Sequence, residues 1–331
     1  MNYELLSGEQ FILDALNSDQ EWQEIVKSMD DSFGVIILNQ HAIPMTLNWL
    51  CNTANMPNVH ARTLFFTIDS NSYNILSDYY PNLKIFQWMT PCLKEKFLPN
   101  DPTYMSFFVL RTNIIRSLIE FNRSFWMIQP DTFWQKNLYS INLTNMSTYD
   151  ILIDQQGSEA SHELRKRQMN GANFFIRSSA VTKKLFDNVF WYQTNFYVTD
   201  PEMIKFFCSQ GTIYRCEFID YSIISGWEWI YTNQKNPPYL IQLDGETSGK
   251  KIQAIKDYKL WFLNDDLSCK PNTVYDAIKM VAQGKVPKIK TTSKLKQMFC
   301  IALGQFLNEI PIFGKFHKLY GGMAALYLQI F

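Results

Sequence analysis

Short apolar runs alternate with helical patterns in the first third of the chain, and this alternation constrains the fold more than any other feature. The apolar runs have the length of buried strands. They cover residues 34–38, 63–68 and 83–88. Helical patterns cover residues 45–54 and 70–79 between them, and Asp69 stands at the N-cap position of the second pattern. The order strand, helix, strand, helix, strand predicts a parallel sheet with right-handed crossovers.

The same alternation continues to residue 218. Further helical patterns cover residues 103–121, 180–191 and 201–208. Further strands are predicted at residues 125–128, 150–154, 173–177 and 212–218. We therefore expect an α/β protein with a mainly parallel, Rossmann-like central sheet flanked by helices. The expected segments are an acidic helical segment at 1–32, the α/β domain at 33–275, and a Lys-rich, then apolar, helical C-terminal extension at 276–331.

The distribution of charge limits the class of partner. The 331 residues carry 31 basic and 31 acidic side chains, and this formal net charge of zero argues against a nucleic-acid partner. The charge is uneven, because residues 279–296 hold six lysines and no acid. That segment is either a solvated part of the chain or, with the apolar stretches 298–313 and 321–331, a peripheral contact with an anionic membrane surface.

Several common sequence signals are absent. No Gly-x-Ser-x-Gly, Gly-x-Gly-x-x-Gly or Walker A motif supports a hydrolase or a P-loop nucleotide-binding protein. The six cysteines and four histidines show no metal-binding spacing. The first ten residues lack the apolar core of a secretory signal, and no window of about 18 apolar residues predicts a membrane-spanning helix. Three glycosylation sequons, at Asn122, Asn142 and Asn145, favour a glycoprotein of the secretory pathway.

One block of residues has a pattern associated with chemistry. Arg111 lies on the helix predicted at 103–121 and shares a face with apolar residues, so it needs either an anion or a route to water. The strand at 125–128 then runs into Gln129-Pro130-Asp131, and Trp134 follows. This block resembles the core signature of the nucleotide-diphospho-sugar transferases, which are glycosyltransferases of the GT-A fold. In that signature, a basic helix residue precedes a strand that ends in Asp-x-Asp, two residues and Trp.

The resemblance implies a function and a set of site residues. It implies transfer of a sugar from a nucleotide-diphosphate sugar, expected to be a UDP-sugar, to a hydroxyl group of a glycan or protein, in the Golgi or elsewhere in the secretory pathway. It places Arg111, Gln129, Asp131, Lys250 and Lys251 at the donor. It places Trp134, Asn170 and Gly171 on the acceptor side. Asp131 would hold Mn²⁺ or Mg²⁺, which neutralises the diphosphate as the glycosidic bond breaks.

The sequence departs from the signature at Gln129, which stands where the family has its first carboxylate. Either Gln129 binds the nucleoside and Asp131 alone holds the metal, or metal affinity is weak, or catalysis is lost. The alternative to an enzyme is therefore a catalytically degenerate protein of the same fold that binds a sugar or a nucleotide.

The catalytic residues are unknown from the sequence. Asp154, Asp200 and Glu202 are candidates for a base or a stabilising carboxylate, because they lie in the region where such a group is expected. Each has a simpler alternative role as a helix-capping or solvated residue, and Asp200-Pro201 in particular is typical of a helix start.

Overall fold

The computed structural model of the chain describes residues 9–96, 102–141, 148–160, 168–209, 213–243 and 251–289, with single residues at 295, 299, 302, 303, 306 and 310. Contacts divide the chain into two compact units. The first comprises Met1–Pro130, Asn137–Asp154 and Met169–Ile219. The second comprises Asp131–Lys136, Gln155–Gln168 and Asp220–Phe331.

The strands and helices follow the predicted order. The strands are β1 (Phe33–Leu38), β2 (Thr63–Thr67), β3 (Lys84–Gln87), β4 (Phe125–Met127), β5 (Thr132–Trp134), β6 (Ile151–Gln155), β7 (Met169–Ile176), β8 (Cys216–Phe218), β9 (Ile224–Gly226) and β10 (Leu240–Gln242). The helices are α1 (Glu9–Ser18), α2 (Gln20–Ser28), α3 (Ile43–Thr53), α4 (Ser70–Tyr79), α5 (Pro102–Glu120), α6 (Ala180–Asn195), α7 (Asp200–Ser209), α8 (Lys251–Asp257) and α9 (Pro271–Ala282).

A seven-stranded sheet forms the centre of the first unit, in the order β3-β2-β1-β4-β7-β6-β8. Strands β3, β2, β1 and β4 pair in parallel, β6 pairs in parallel with β8, and β7 is antiparallel to β4. The sheet is mainly parallel because helices connect its first strands, as the alternation of patterns requires. The predicted α/β fold class is confirmed.

Asp69 begins α4 as the sequence predicts. One of its carboxylate oxygens accepts a hydrogen bond from the backbone N–H of Ser72 (2.9 Å), and the other accepts from the N–H of Gln40 (2.7 Å). The first contact is that of an N-cap, which pairs an N–H group that the helix itself leaves unpaired. The second ties the end of β2 to the chain that follows β1.

The acidic segment at the start of the chain packs onto the first unit. Leu16, Trp22 and Val26, on α1 and α2, are wholly buried in its core, and the indole N–H of Trp22 donates to Ser117 Oγ at 2.8 Å. Asp14, Glu21 and Glu24 are exposed on these helices, whereas their buried apolar side chains belong to the core of the first unit. Within this segment, the described helices α1 and α2 supply part of the core.

Three features of the first unit differ from the sequence-based expectations. Strand β7 begins at Met169 rather than Asn173, so Asn170 and Gly171 belong to the strand. Strand β8 is shorter than predicted and begins at Cys216. A disulfide joins Cys208 on α7 to Cys216 on β8, although the cysteine spacing showed no pattern.

The second unit contains a small sheet in the order β5-β10-β9. Strand β10 is antiparallel to β5 and parallel to β9. Helices α8 and α9 follow, and the proposed boundary at residue 275 falls within α9. The predicted domain limits stay a prediction. Among the described residues, no helix has the length and apolar character needed to cross a bilayer.

Candidate functional site

Arg111 is buried on α5 and forms a two-pronged ion pair with Asp200 at the start of α7. Its Nε lies 2.7 Å from Asp200 Oδ2, its Nη2 lies 2.8 Å from Oδ1, and its Nη1 donates to the carbonyl of Gly171 at 3.3 Å. Arg111 is 3% exposed and Asp200 is 0% exposed. The anion that the sequence requires for Arg111 is therefore a carboxylate of the chain itself. The alternative in which Arg111 reaches water is wrong, because the guanidinium is enclosed.

The Arg111–Asp200 pair is a structural clamp within the first unit. Burial raises the pKa of Asp200, and the charge and hydrogen bonds of Arg111 oppose that shift. The guanidinium also lies over the ring of Phe108, with its carbon 4.9 Å from the ring centre. Two parallel hydrogen bonds fix the orientation of both side chains. The clamp thus joins α5, α7 and, through Gly171, strand β7.

Gly171 occupies a backbone position that excludes a side chain. Its φ is +75°, and a Cβ atom would lie 2.5 Å from the ring of Pro201. Its carbonyl accepts from Arg111, and its N–H donates to Asp154 Oδ1 at 2.9 Å. Only glycine adopts this conformation at low cost while packing against proline. The role of Gly171 in the described structure is to let β7 pass close to α7.

Asp154 holds the backbone of β7. It is fully buried, and its second oxygen accepts from the N–H of Asn173 at 2.7 Å. Asn173 in turn accepts, through Oδ1, the N–H of Gln129 at 3.3 Å. Both carboxylate oxygens of Asp154 are therefore used to position strands rather than presented to a ligand. Asn173 links Asp154 to the residue that follows β4.

Glu202 is an exposed capping residue. Its carboxylate accepts from the backbone N–H and the hydroxyl of Thr199, both at 3.0 Å, and Thr199 Oγ1 accepts from the N–H of Glu202 at 3.3 Å. This reciprocal arrangement is a capping box at the start of α7. The three candidate catalytic carboxylates, Asp154, Asp200 and Glu202, thus all have structural partners.

In the second unit, Asp131 is paired with Lys251. The Lys251 ammonium lies 2.6 Å from Asp131 Oδ2, and the Asp131 carboxylate also accepts a hydrogen bond from the side chain of Gln242. Asp131 is 8% exposed. Burial alone would raise the pKa of Asp131, but the charge and hydrogen bonds of Lys251 and Gln242 outweigh it, so the pKa is lowered. The motif carboxylate is therefore ionised and faces a cation.

The other three predicted donor-side and acceptor-side residues are Trp134, Lys250 and Asn170. Trp134 is wholly buried in β5, and its indole N–H donates to Thr132 Oγ1 at 3.1 Å. Its ring is enclosed in β5, and its expected place on the acceptor side stays a prediction. Lys250 lies outside the described residues. Asn170 is half-buried in β7 of the first unit.

The donor set at Asp131 limits how a divalent cation can be held. Within the described part of the chain, no group of three or more His, Cys, Asp or Glu side chains is arranged to bind a metal. Asp131 offers one carboxylate, and the Gln242 side chain already donates a hydrogen bond to it. Mg²⁺ sites of this kind use one or two carboxylates together with phosphate oxygens of the substrate. Asp131 therefore fits a metal only when a diphosphate supplies further ligands.

A sequence profile decides the family. The profile of the nucleotide-diphospho-sugar transferases matches residues 58–255, which is more than half of the chain and contains every candidate site residue. The chain belongs to this family. A search of curated proteins finds no match to this family member. The assignment agrees with the mainly parallel α/β sheet of its first unit.

Solved glycosyltransferases are distantly similar to this family member. Mouse xyloside xylosyltransferase 1 in its apo form is 9% identical with a TM-score of 0.43, and the match covers 64% of this chain and 97% of that one. The galactosyltransferase LgtC, solved with donor and acceptor sugar analogues, is 8% identical with a TM-score of 0.39, covering 79% and 98%. Streptococcus pneumoniae GlyE is 8% identical with a TM-score of 0.42, covering 79% and 66%.

Sequence reasoning missed two residues of the site. Asn173 lies inside the block 170–178 that resembles the family, but nothing in that block indicates its link between Asp154 and Gln129. Gln242 lies in a short apolar strand and gives no signal at all. Its contact with Asp131 depends on the pairing of β10 with β5, which places Gln242 opposite Thr132.

We expect Arg111→Met to lower the free energy of unfolding by about 3–5 kcal/mol, because it leaves the Asp200 carboxylate buried without a counter-charge. Guanidinium chloride denaturation measures the loss. Lys183→Met is the matched control, since Lys183 pairs with Asp187 and Glu120 but is 45% exposed. A surface pair of that kind contributes about 0–1 kcal/mol.

The double variant Arg111→Met with Asp200→Leu is expected to recover part of that loss, because no uncompensated charge remains. A double variant as unstable as the sum of the single variants, or an Arg111→Met loss no larger than that of Lys183→Met, would show that the buried pair is not the clamp described here.

The lowered pKa of Asp131 predicts an acid dependence of stability. The ordinary Asp value is 3.8, so the stabilisation is present above that pH and is lost as the pH falls through the lowered folded-state value. Asp131→Asn should remove this contribution to the slope of unfolding free energy between pH 3 and 5. In Lys251→Gln, burial is no longer offset by the ammonium, so the pKa of Asp131 should rise. An unchanged slope in both variants would contradict the assignment.

Proposed function

We propose that the chain is a glycosyltransferase that moves a sugar from a nucleotide-diphosphate sugar, a UDP-sugar, to a hydroxyl group of a glycan or protein acceptor. The observation that carries the proposal is the Asp131–Lys251 pair. It combines the carboxylate at the family's motif position with a cation 2.6 Å away, and both residues lie within the family match. These are the two kinds of group that a diphosphate leaving group requires.

Lys251 has the properties of a diphosphate-binding residue. Its side chain is 32% exposed, so the ammonium can reach a ligand. Departure of the nucleoside diphosphate concentrates negative charge on the phosphate oxygens. An ammonium placed there stabilises that charge more in the transition state than in the ground state, which is the requirement for a gain in rate. Lys250 is its neighbour in sequence and would add a second cation.

Asp131 would hold Mn²⁺ or Mg²⁺ together with the diphosphate oxygens, and the ion would supply Lewis-acid stabilisation of the leaving group. Gln129 removes one of the two charges that the family provides, so metal affinity should be weak without the donor. Arg111 is enclosed with Asp200 in the first unit, where it positions α5 and α7.

The alternative is a protein that binds a nucleotide-sugar and does not turn it over. The structural contacts of three carboxylates favour this alternative. Among the described residues, backbone groups or Arg111 already hold the side chains of Asp154, Asp200 and Glu202. Retaining transferases of the resembling family often lack an obvious protein nucleophile, so this engagement is compatible with activity. Binding and turnover must be measured separately.

We expect UDP-sugars to raise the melting temperature of the chain, and Mn²⁺ to increase that effect. A free ligand concentration of 100 times the dissociation constant raises the free energy of unfolding by about 2.7 kcal/mol. Asp131→Asn should abolish the Mn²⁺-dependent part, whereas Asp265→Asn, an exposed carboxylate of the same unit, should not. Release of UDP from the bound sugar then separates an enzyme from a binding protein.

Failure of every common nucleotide-sugar to bind, with or without Mn²⁺, would overturn the proposal. Binding to Asp131→Asn at wild-type affinity and with wild-type metal dependence would overturn the role given to Asp131.

We also propose that the chain acts in the secretory pathway, as a glycoprotein of the Golgi or a related compartment. The disulfide between Cys208 and Cys216 supports this, because disulfides persist in oxidising compartments. The sequon residue Asn122 lies in the turn after α5, and Asn142 and Asn145 lie outside the described residues. Glycosylation stays a prediction.

The C-terminal segment is proposed to contact an anionic membrane surface peripherally. Leu295, Phe299 and Phe306 are described as helical and are 55%, 66% and 63% exposed. In a continuous helix, residues that are spaced by four and seven positions share one face. The lysines of residues 279–296 stand just before and among them, which suits an apolar face that enters the lipid boundary while cations meet headgroups.

The chain should therefore float with phosphatidylserine-containing vesicles at low salt, and less with phosphatidylcholine vesicles alone. Phe299→Glu should reduce flotation by at least several-fold, because a carboxylate replaces a side chain that enters the lipid. Tyr275→Glu is the control, since Tyr275 is 70% exposed on α9 outside that face. A wild-type chain that stays wholly in the soluble fraction contradicts the proposal.

A further inference from the structure

The second unit contains a surface cleft of about 300 Å³ that none of the roles given above uses. Ligand sites of this size fall at the lower end of the usual range, which fits one or two sugar rings. Its wall carries the aromatic residues Tyr221 and Trp229 together with Glu159, Asn233, Lys235 and Asn236. Amide, hydroxyl and charged groups around aromatic rings suit a ligand that has many hydroxyl groups and apolar C–H faces.

The loop at residues 232–236 forms one side of the cleft and is fixed before any ligand binds. The buried amide of Gln234 donates to the carbonyls of Ile230 (2.7 Å) and Val286 (2.8 Å) and accepts from the N–H of Val286 (2.8 Å). The indole N–H of Trp229 donates to the carbonyl of Lys235 at 3.1 Å. Because the backbone is held from both sides, little ordering entropy is lost when Asn233, Lys235 and Asn236 contact a ligand.

Strand pairing places this cleft near the motif carboxylate. Ser225 of β9 lines the cleft, and the next residue, Gly226, pairs with Gln242 of β10. Gln242 pairs on its other side with Thr132 of β5, which directly follows Asp131. Neighbouring strands lie about 4.8 Å apart, so β9 and β5 are roughly 10 Å apart. Ser225 in the cleft and the Asp131–Lys251 pair thus lie about two strand spacings apart across the small sheet.

The charge of the cleft favours a neutral ligand. Among the described residues that line it, Glu159 and Lys235 are the charged ones, and their charges cancel. A phosphate or a carboxylated sugar would meet no surplus of cations there, in contrast to the neighbourhood of Lys251. A neutral saccharide can use both groups, because its hydroxyls donate to Glu159 and accept from Lys235.

We propose that this cleft binds a neutral hexose of the acceptor glycan, held by Glu159, Asn233 and Lys235 against Tyr221, with the largely buried Trp229 in the wall. The assignment of the bound sugar as acceptor rests on the proposed function, whereas binding of a neutral saccharide in the cleft does not. The cleft would orient the acceptor so that one hydroxyl points along the small sheet toward the donor at Asp131.

The test is saturation-transfer NMR on the full chain with methyl glycosides of glucose and galactose, with glucuronic acid as the acidic comparison. Lys235→Met and Glu159→Gln remove the charged contacts while keeping side-chain size, and each should weaken binding of a neutral glycoside at least fivefold. Lys279→Met, on α9 and outside the cleft, should bind as the wild type does. Far-ultraviolet circular dichroism confirms that the variants are folded.

The outcomes separate this inference from the proposed function. The cleft assignment is wrong if UDP-sugar binds at Asp131 but no neutral glycoside binds. It is also wrong if glycoside binding is unchanged in both cleft variants. Either result leaves the donor site supported. If a neutral glycoside binds in the cleft but no nucleotide-sugar binds, the saccharide site is supported and the proposed sugar transfer is contradicted. Preference for glucuronic acid would overturn the neutral class. In an active chain, the cleft variants should raise the KM for acceptor and leave the KM for donor unchanged.

Discussion

The buried ion pair between Arg111 and Asp200 organises the first unit. A guanidinium with 3% exposure on an apolar helix face is stable only if a carboxylate meets it, and that carboxylate must itself be enclosed. Satisfying this condition requires α7 to begin beside α5 and β7 to offer the carbonyl of Gly171 to the third nitrogen. Gly171, in turn, must lack a side chain because Pro201 follows Asp200. One charge on α5 therefore dictates the positions of a helix start and a strand.

In the second unit, the motif carboxylate of Asp131 has a different kind of partner. Asp131 is also largely enclosed, but its partner Lys251 is partly exposed and carries a single movable ammonium, whereas Arg111 has a rigid planar fork. A bidentate pair between two enclosed groups holds structure in place and leaves no group for a ligand. A single contact to a lysine that reaches the surface can exchange for another anion. This difference in exposure and geometry gives Arg111 a positioning role and, under the proposed function, Lys251 a ligand role, although the sequence suggested the same role for both.

Local patterns account for most of what could be predicted. The strands of the large sheet and the N-cap at Asp69 follow from short apolar runs and from one side chain, which are local properties. Asn170-Gly171 was expected to precede its strand, because Asn-Gly is a turn signal, but contacts with Arg111 and Asp154 hold it within β7. The partner of Arg111 lies 89 residues away and the partner of Asp131 lies 120 residues away. Periodicity indicates that such charges need partners but does not identify them. The burial of Trp134 could not be predicted for a related reason, since its position in the signature does not indicate whether the side chain is exposed.

Under the proposed function, the pairing of Asp131 with Lys251 couples the binding of the donor to the binding of the metal. If Lys251 turns toward a diphosphate, Asp131 loses the contact that lowers its pKa while burial continues to disfavour its charge. The carboxylate then needs another cation or a proton. A divalent ion held by Asp131 and bound with the donor would satisfy the charge of both anions, whereas a proton would satisfy only one. Donor and metal should therefore favour each other's binding, and the single carboxylate left by Gln129 strengthens that dependence because it cannot hold the ion alone.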